Sequence, residues 1–170
     1  MPRGLKETSS IIVIGAPIIE TAPNTFTQVS VDLQLNPLDN EVFVVTAIDL
    51  DVTPPDAIAA TNTQTTMSLT TTSQTVLPSL ASSNVLARST SSIRAAGFVD
   101  GGVGFEERAG DTPPASLDYV GIIATNDFFL QLQGTGNAVA KSAAVKVYGY
   151  RARADSSVYA ALVQSEVLSS

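Results

Sequence analysis

Apolar and polar residues alternate from Gln28 to Leu35, with Val29, Val31, Leu33 and Leu35 on one side and Gln28, Ser30, Asp32 and Gln34 on the other. A period of two marks a half-exposed antiparallel strand, and the segment Thr25 to Leu35 is predicted as one. Asn36-Pro37-Leu38-Asp39-Asn40 reads as a turn, being built of residues that favour turn geometry. The next segment, Glu41 to Val52, changes character within its own length. It opens as an unbroken apolar run, Val42 to Val45, and ends in alternation, with Ile48, Leu50 and Val52 opposed to Asp49 and Asp51. Thr53-Pro54-Pro55-Asp56 stops it, because proline has no N–H for a sheet ladder.

Later segments repeat the pattern. Strands are expected over Ser91 to Val99, Leu117 to Ala124, Asp127 to Gln133 and Ala140 to Arg153. In the last of these Val145 and Val147 oppose Lys146, Tyr148 and Tyr150. Between them lie a glycine-rich connection (Asp100 to Gly104), a polar loop (Glu106 to Pro114) and two turns, Thr125-Asn126 and Gly134-Thr135-Gly136-Asn137. Near the start, Ile11 to Ile14 reads as a strand at a sheet edge or against a neighbouring subunit. The run Ile11 to Ile19 is broken by Gly15-Ala16-Pro17 and closed by Glu20, unlike the hydrophobic region of a signal peptide. It is also far short of the ~20 apolar residues that span a bilayer. Only the end is helical in pattern: Asp155 or Ser156 can cap a segment in which Val158, Tyr159, Leu162, Val163 and Val167 share a face.

These elements predict an all-β protein, an antiparallel β-sandwich or barrel with one short C-terminal helix. The expected layout is one domain: an N-terminal arm or edge strand over 1–24, the sandwich over 25–153 and a helical tail over 154–170. At 170 residues the chain has material for one good core.

Composition adds one strong feature. Only 15% of the residues are charged, against roughly 25% in ordinary soluble domains. From Ala57 to Ala87 there is no charge at all, and Ser and Thr dominate. Interface cores are depleted of charge, so this run predicts a surface covered by other copies of the chain. The run supplies Met67, Leu69 and Leu80 as candidate subunit contacts. Ile11 and Ile12 join them from the N-terminal strand, and Phe129 from the Phe128-Phe129 pair, which divides between a core and an interface position. Tyr148 and Tyr150 make either a solvent-facing ladder or a subunit contact, and tyrosine is enriched at interfaces.

The net charge of −7 argues against nucleic acid as a direct partner, since phosphate binding needs clustered Lys and Arg and only Arg3 and Lys6 are basic near the N-terminus. With neither His nor Cys, Ser-His-Asp and Cys-His catalysis, imidazole ligands and disulfides are excluded. No Gly-Lys-Ser or Gly-Lys-Thr completes a phosphate loop. Lys141 and Ser142 are strand neighbours that point to opposite faces, which argues against direct activation of one by the other. Glu106-Glu107-Arg108 reads as a charged loop tip or a rim ion pair. Asp49 and Asp51 form a solvated face, with a weak Ca²⁺ site as the lesser alternative because oxygen ligands suit that ion. No enzyme activity, cofactor or small-molecule substrate is expected.

The order of parts resembles the single jelly-roll structural proteins of icosahedral viruses, especially the small acidic capsid subunits of tailless double-stranded DNA viruses. The resemblance runs from Phe26 to Arg153. It rests on the alternating strand Val29–Leu35, the apolar-to-acidic strand Val42–Val52 and the neutral Thr-rich run. The block from Leu117 to Leu132 and the closing strand Val145–Arg153 complete it. It implies a virion protein, made in the host cytoplasm, whose partners are other copies of itself and other capsid proteins. Any membrane contact would be indirect. The competing expectation is a β-sandwich binding module for a glycan or receptor, with Asp49, Asp51, Tyr148 or Tyr150 lining a Ca²⁺-assisted site.

Overall fold

The computed structural model describes residues 2–97, 105–110 and 117–168. Among the described residues ten strands form two antiparallel sheets. The first sheet contains β1 (Leu5–Glu7), β2 (Ile12–Ile19), β4 (Glu41–Val52), β8 (Gly121–Ile123) and β10 (Ser142–Ala154). The second contains β3 (Thr27–Asp32), β5 (Thr63–Thr70), β6 (Val85–Arg94), β7 (Phe105–Gly110) and β9 (Asp127–Thr135). A single helix, α1 (Ser156–Leu168), ends the described chain.

In the first sheet β2 pairs β10, β10 pairs β4 and β4 pairs β8. The second has the order β3-β9-β5-β6-β7. Chain-consecutive strands β2 and β3, β4 and β5, and β8 and β9 therefore lie in opposite sheets. That crossing pattern is the jelly roll, two Greek keys wound into one sandwich. β1 sits beyond β2 on the same side of β10, with Leu5 opposite Ala154 and Ile12 opposite Gly149.

The main core lies between the sheets and includes Ile18, Phe43, Val45, Met67, Leu69, Ile123, Phe128, Leu130, Leu132, Val145 and Val147. Burying a side chain such as Phe43 contributes about 1.5–3 kcal/mol. The apolar run of β4 has a structural cause. Phe43 and Val45 face this core, whereas Val42 and Val44 join a second cluster with Leu5, Tyr150, Ala152 and Ala154. Val158, Tyr159, Leu162 and Val163 of α1 pack on that cluster. The helix thus covers the outer face of one half of the first sheet, so β4 is apolar on both sides there. Beyond a bulge at Thr46 the outer face is open, and strict alternation resumes. Opposite the bulge, a Cβ on Gly149 would lie 2.6 Å from the Phe43 ring and against the Val44 carbonyl. At the helix entry, Gly4 has φ +80°, and a Cβ there would meet Val158 at 2.9 Å.

Several boundaries differ from expectation. Phe105–Gly110 is a strand, not a polar loop, since its backbone pairs with β6 from Ser89 to Arg94. Residues 98–104 and 111–116, which hold the glycine-rich connection and the end of the expected loop, lie outside the described residues. The strand expected over Ser91 to Val99 begins earlier, at Val85, and that over Leu117 to Ala124 shortens to Gly121–Ile123. In α1, Val167 is exposed and Glu166 takes the inward place one turn after Leu162.

Candidate assembly surface

β2 is an edge strand. Ile12, Ile14, Ala16 and Ile18 turn inward onto the core, and Val13, Gly15, Pro17 and Ile19 turn out to solvent. With Ile11, which is 64% exposed, Val13 at 52% and Ile19 at 64% make an outward apolar row along the sheet edge. No charged residue occurs between Glu7 and Glu20.

The far end of β2 is pinned. Glu20 is buried, and its backbone N–H donates to the Lys141 carbonyl at 2.9 Å. Its carboxylate accepts from the N–H groups of Gly134 and Lys141. Beside it, Lys141 Nζ donates to Asp56 Oδ1 at 2.5 Å, with the Lys141 side chain 6% exposed. Asp56 Oδ2 accepts from the N–H groups of Ala138 and Val139. The Lys141 hydrogen bond, helped by those N–H donors, holds the Asp56 carboxyl below its ordinary value of 3.8. Asn137 ties the same end together, exchanging bonds with Asn24 and accepting from the Asp56 N–H. Lys141 is therefore a structural cation. Sequence reasoning missed this network because its members are scattered over more than a hundred positions.

Inward from β2, the outer face of the first sheet forms a shallow groove of about 460 Å³, lined in part by Gly15, Pro17, Asp49, Asp51 and Lys146. Lys146 stands directly across from Asp49 in the register. Among the described residues no three metal-binding carboxylates converge, so the pair Asp49 and Asp51 has no third acidic ligand there.

The structure separates the other candidate contacts. Met67 and Leu69 are fully buried and face the main core, so they are not subunit contacts. β5 lies centrally in its sheet and is buried on both sides. On the side away from the core Ser68 donates to Gln131 at 2.8 Å, and Gln131 donates to Thr70 and Gln28. The connection from Thr71 to Asn84 folds back there, its Gln74 N–H donating to Gln28. The missing charge along β5 thus reflects burial within the subunit. Leu80, on that connection, is 50% exposed. Ile12 faces inward, and Phe129 is half-buried on the outer side of the second sheet.

Tyr148 and Tyr150 share a strand face but not an environment. Tyr148 is half-buried near the groove, whereas Tyr150 lies in the cluster beneath α1 and is not available as a contact. Burial pushes its hydroxyl above the ordinary value of 10.0. Glu166 anchors the same helix, its carboxylate accepting from the N–H groups of Ala124 at 3.0 Å and Thr125 at 2.9 Å. Burial raises its carboxyl above 4.5 in spite of those donors.

No protein-family model matches the chain, and no curated protein matches it.

Proposed function

We propose that this chain is a structural subunit that assembles with copies of itself, and with other shell proteins, into a closed virus capsid. The observation that carries the proposal is the β2 edge of a jelly-roll sandwich, where Ile11, Val13 and Ile19 stand exposed on an uncharged strand. Natural sheets blunt exposed edges with charge, proline, short length or a covering segment, because a bare apolar edge recruits other strands. Here the edge strand is eight residues long and uncharged, and Pro17 is its one such device. The acidic balance keeps free subunits soluble, and the shell would meet its genome only indirectly. Virion localisation after synthesis in the host cytoplasm follows from this proposal.

Negative-stain electron microscopy of the purified native material tests it. Closed shells or regular fragments of shells are expected, and a strict monomer at high concentration and across salt conditions would overturn it. The groove at Asp49, Asp51 and Lys146 favours a second reading, a Ca²⁺-assisted binding module for a glycan or receptor. Calorimetric titration with Ca²⁺, compared between the wild type and Asp49→Asn/Asp51→Asn, decides that alternative.

A further inference from the structure

β2 has one edge paired and one edge open. Because the Glu20 N–H donates to Lys141, even-numbered residues of the strand direct their N–H and C=O groups to β10. In an antiparallel ladder the odd-numbered residues then direct theirs away. The outward backbone groups are those of Val13, Gly15, Pro17 and Ile19, and among the described residues no strand takes them. Pro17 sits at a position whose N–H would point outward, so the strand keeps its full pairing with β10.

We propose that β2 pairs antiparallel with β2 of a second copy about a two-fold axis at Gly15. This deepens the assembly reading and rests on it. Axes at Ile14 or Ala16 also oppose outward residues, but only the axis at Gly15 brings every outward position from Ile11 to Ile19 opposite another. With the axis at Gly15, the two Gly15 residues exchange both central hydrogen bonds, and Ile11 lies opposite the second copy's Ile19. Val13 lies opposite Pro17, where the Val13 N–H still donates to the proline carbonyl. An axis at Pro17 would lose both central bonds, and one at Val13 would leave Ile19 without a partner strand. The outward side chains of Ile11, Val13, Pro17 and Ile19 from both copies then form one continuous apolar row. Two-fold contacts bring identical residues together, so like charges near the axis repel. β2 has none between Glu7 and Glu20, and the charge beside the axis, Lys146 opposite Gly15 in β10, stands across from Asp49. The result is one sheet running through both subunits.

The absence of cysteine permits a direct test. A Cβ at position 15 meets only the Val145 carbonyl, at 3.8 Å, so Gly15→Cys fits the fold. Directly opposed residues in this pair type stand about 5.5 Å apart at Cα, within disulfide range. Val13→Cys would face its copy four positions out of register, roughly 14 Å away at about 3.4 Å per residue. Under mild oxidation Gly15→Cys is expected to give at least tenfold more disulfide dimer than Val13→Cys, with each variant's thermal unfolding recorded as a folding control. Equal cross-linking of the two variants, or none in Gly15→Cys while shells still form, would overturn the pairing and leave the assembly reading standing. Absence of any assembly in the wild type would remove the assembly reading, and this pairing with it.

Discussion

Ser68 and Gln131 are each fully buried, Ser68 donating to Gln131 and Gln131 donating to Thr70 and Gln28, and they explain how uncharged polar residues can fill a subunit's interior. A buried polar group is tolerated when it is hydrogen-bonded, and a charge in the same place would be far costlier. From sequence, the run around Met67 read as a covered outer surface. Charge depletion reports burial without saying whether the cover comes from the same chain or another. Two substitutions separate the cases. Leu69→Ala removes a buried core side chain and should destabilise the isolated subunit by about 2–5 kcal/mol in denaturant titration. Leu80→Lys, at an exposed loop position, should leave the unfolding midpoint within about 0.5 kcal/mol. Asp56 makes a pH prediction. Its folded-state pKa is depressed, so its stabilisation is complete above the ordinary value of 3.8 and is lost as pH falls through the lower folded value. Thermal melts of Asp56→Asn should be several degrees lower at neutral pH, and the gap should narrow as the pH falls below 3.8.

β4 shows what a hydrophobic pattern can transmit about an element. Its bounds, Glu41–Val52, matched expectation, and its switch from an apolar run to alternation marks where α1 stops covering the sheet. The helix was readable from its periodicity up to Val163. Beyond that, an acid in the inward position looks like an error unless its partners are known, and the Ala124 and Thr125 N–H groups come from a distant strand end. β7 was hidden for a related reason. Glu106-Glu107-Arg108 carries the charge of a loop, yet an outermost strand tolerates charge and is guarded by it. Glu166→Ala should weaken the docking of α1 by about 1–3 kcal/mol, because a buried N–H loses its acceptor. Relief of the burial cost on the carboxylate places the effect towards the lower end. The measurement is hydrogen exchange, with protection lost in α1 and kept in β5 and β9.

At the level of the molecule, a sandwich or barrel was legible in the recurrence of short strands, whereas the jelly-roll pairing order was not. The decision that β2 lies beside β10, over 120 positions later, is made by the core contacts of Ile18 with both sheets and by the Glu20 clamp. Those constraints leave the apolar row of Ile11, Val13 and Ile19 outside. Val13→Lys tests its role, since a half-exposed position accepts a lysine without loss of fold. It should raise the concentration for half-assembly at least tenfold, which corresponds to about 1.4 kcal/mol per contact, with thermal unfolding of the subunit unchanged. The most direct measurement of the central claim is sedimentation velocity of the wild type and Val13→Lys over a wide concentration range. The account predicts large, discrete assemblies for the wild type and a shift to free subunits for the variant. A wild type that sediments as a monomer throughout, or a variant that assembles equally well, would contradict it.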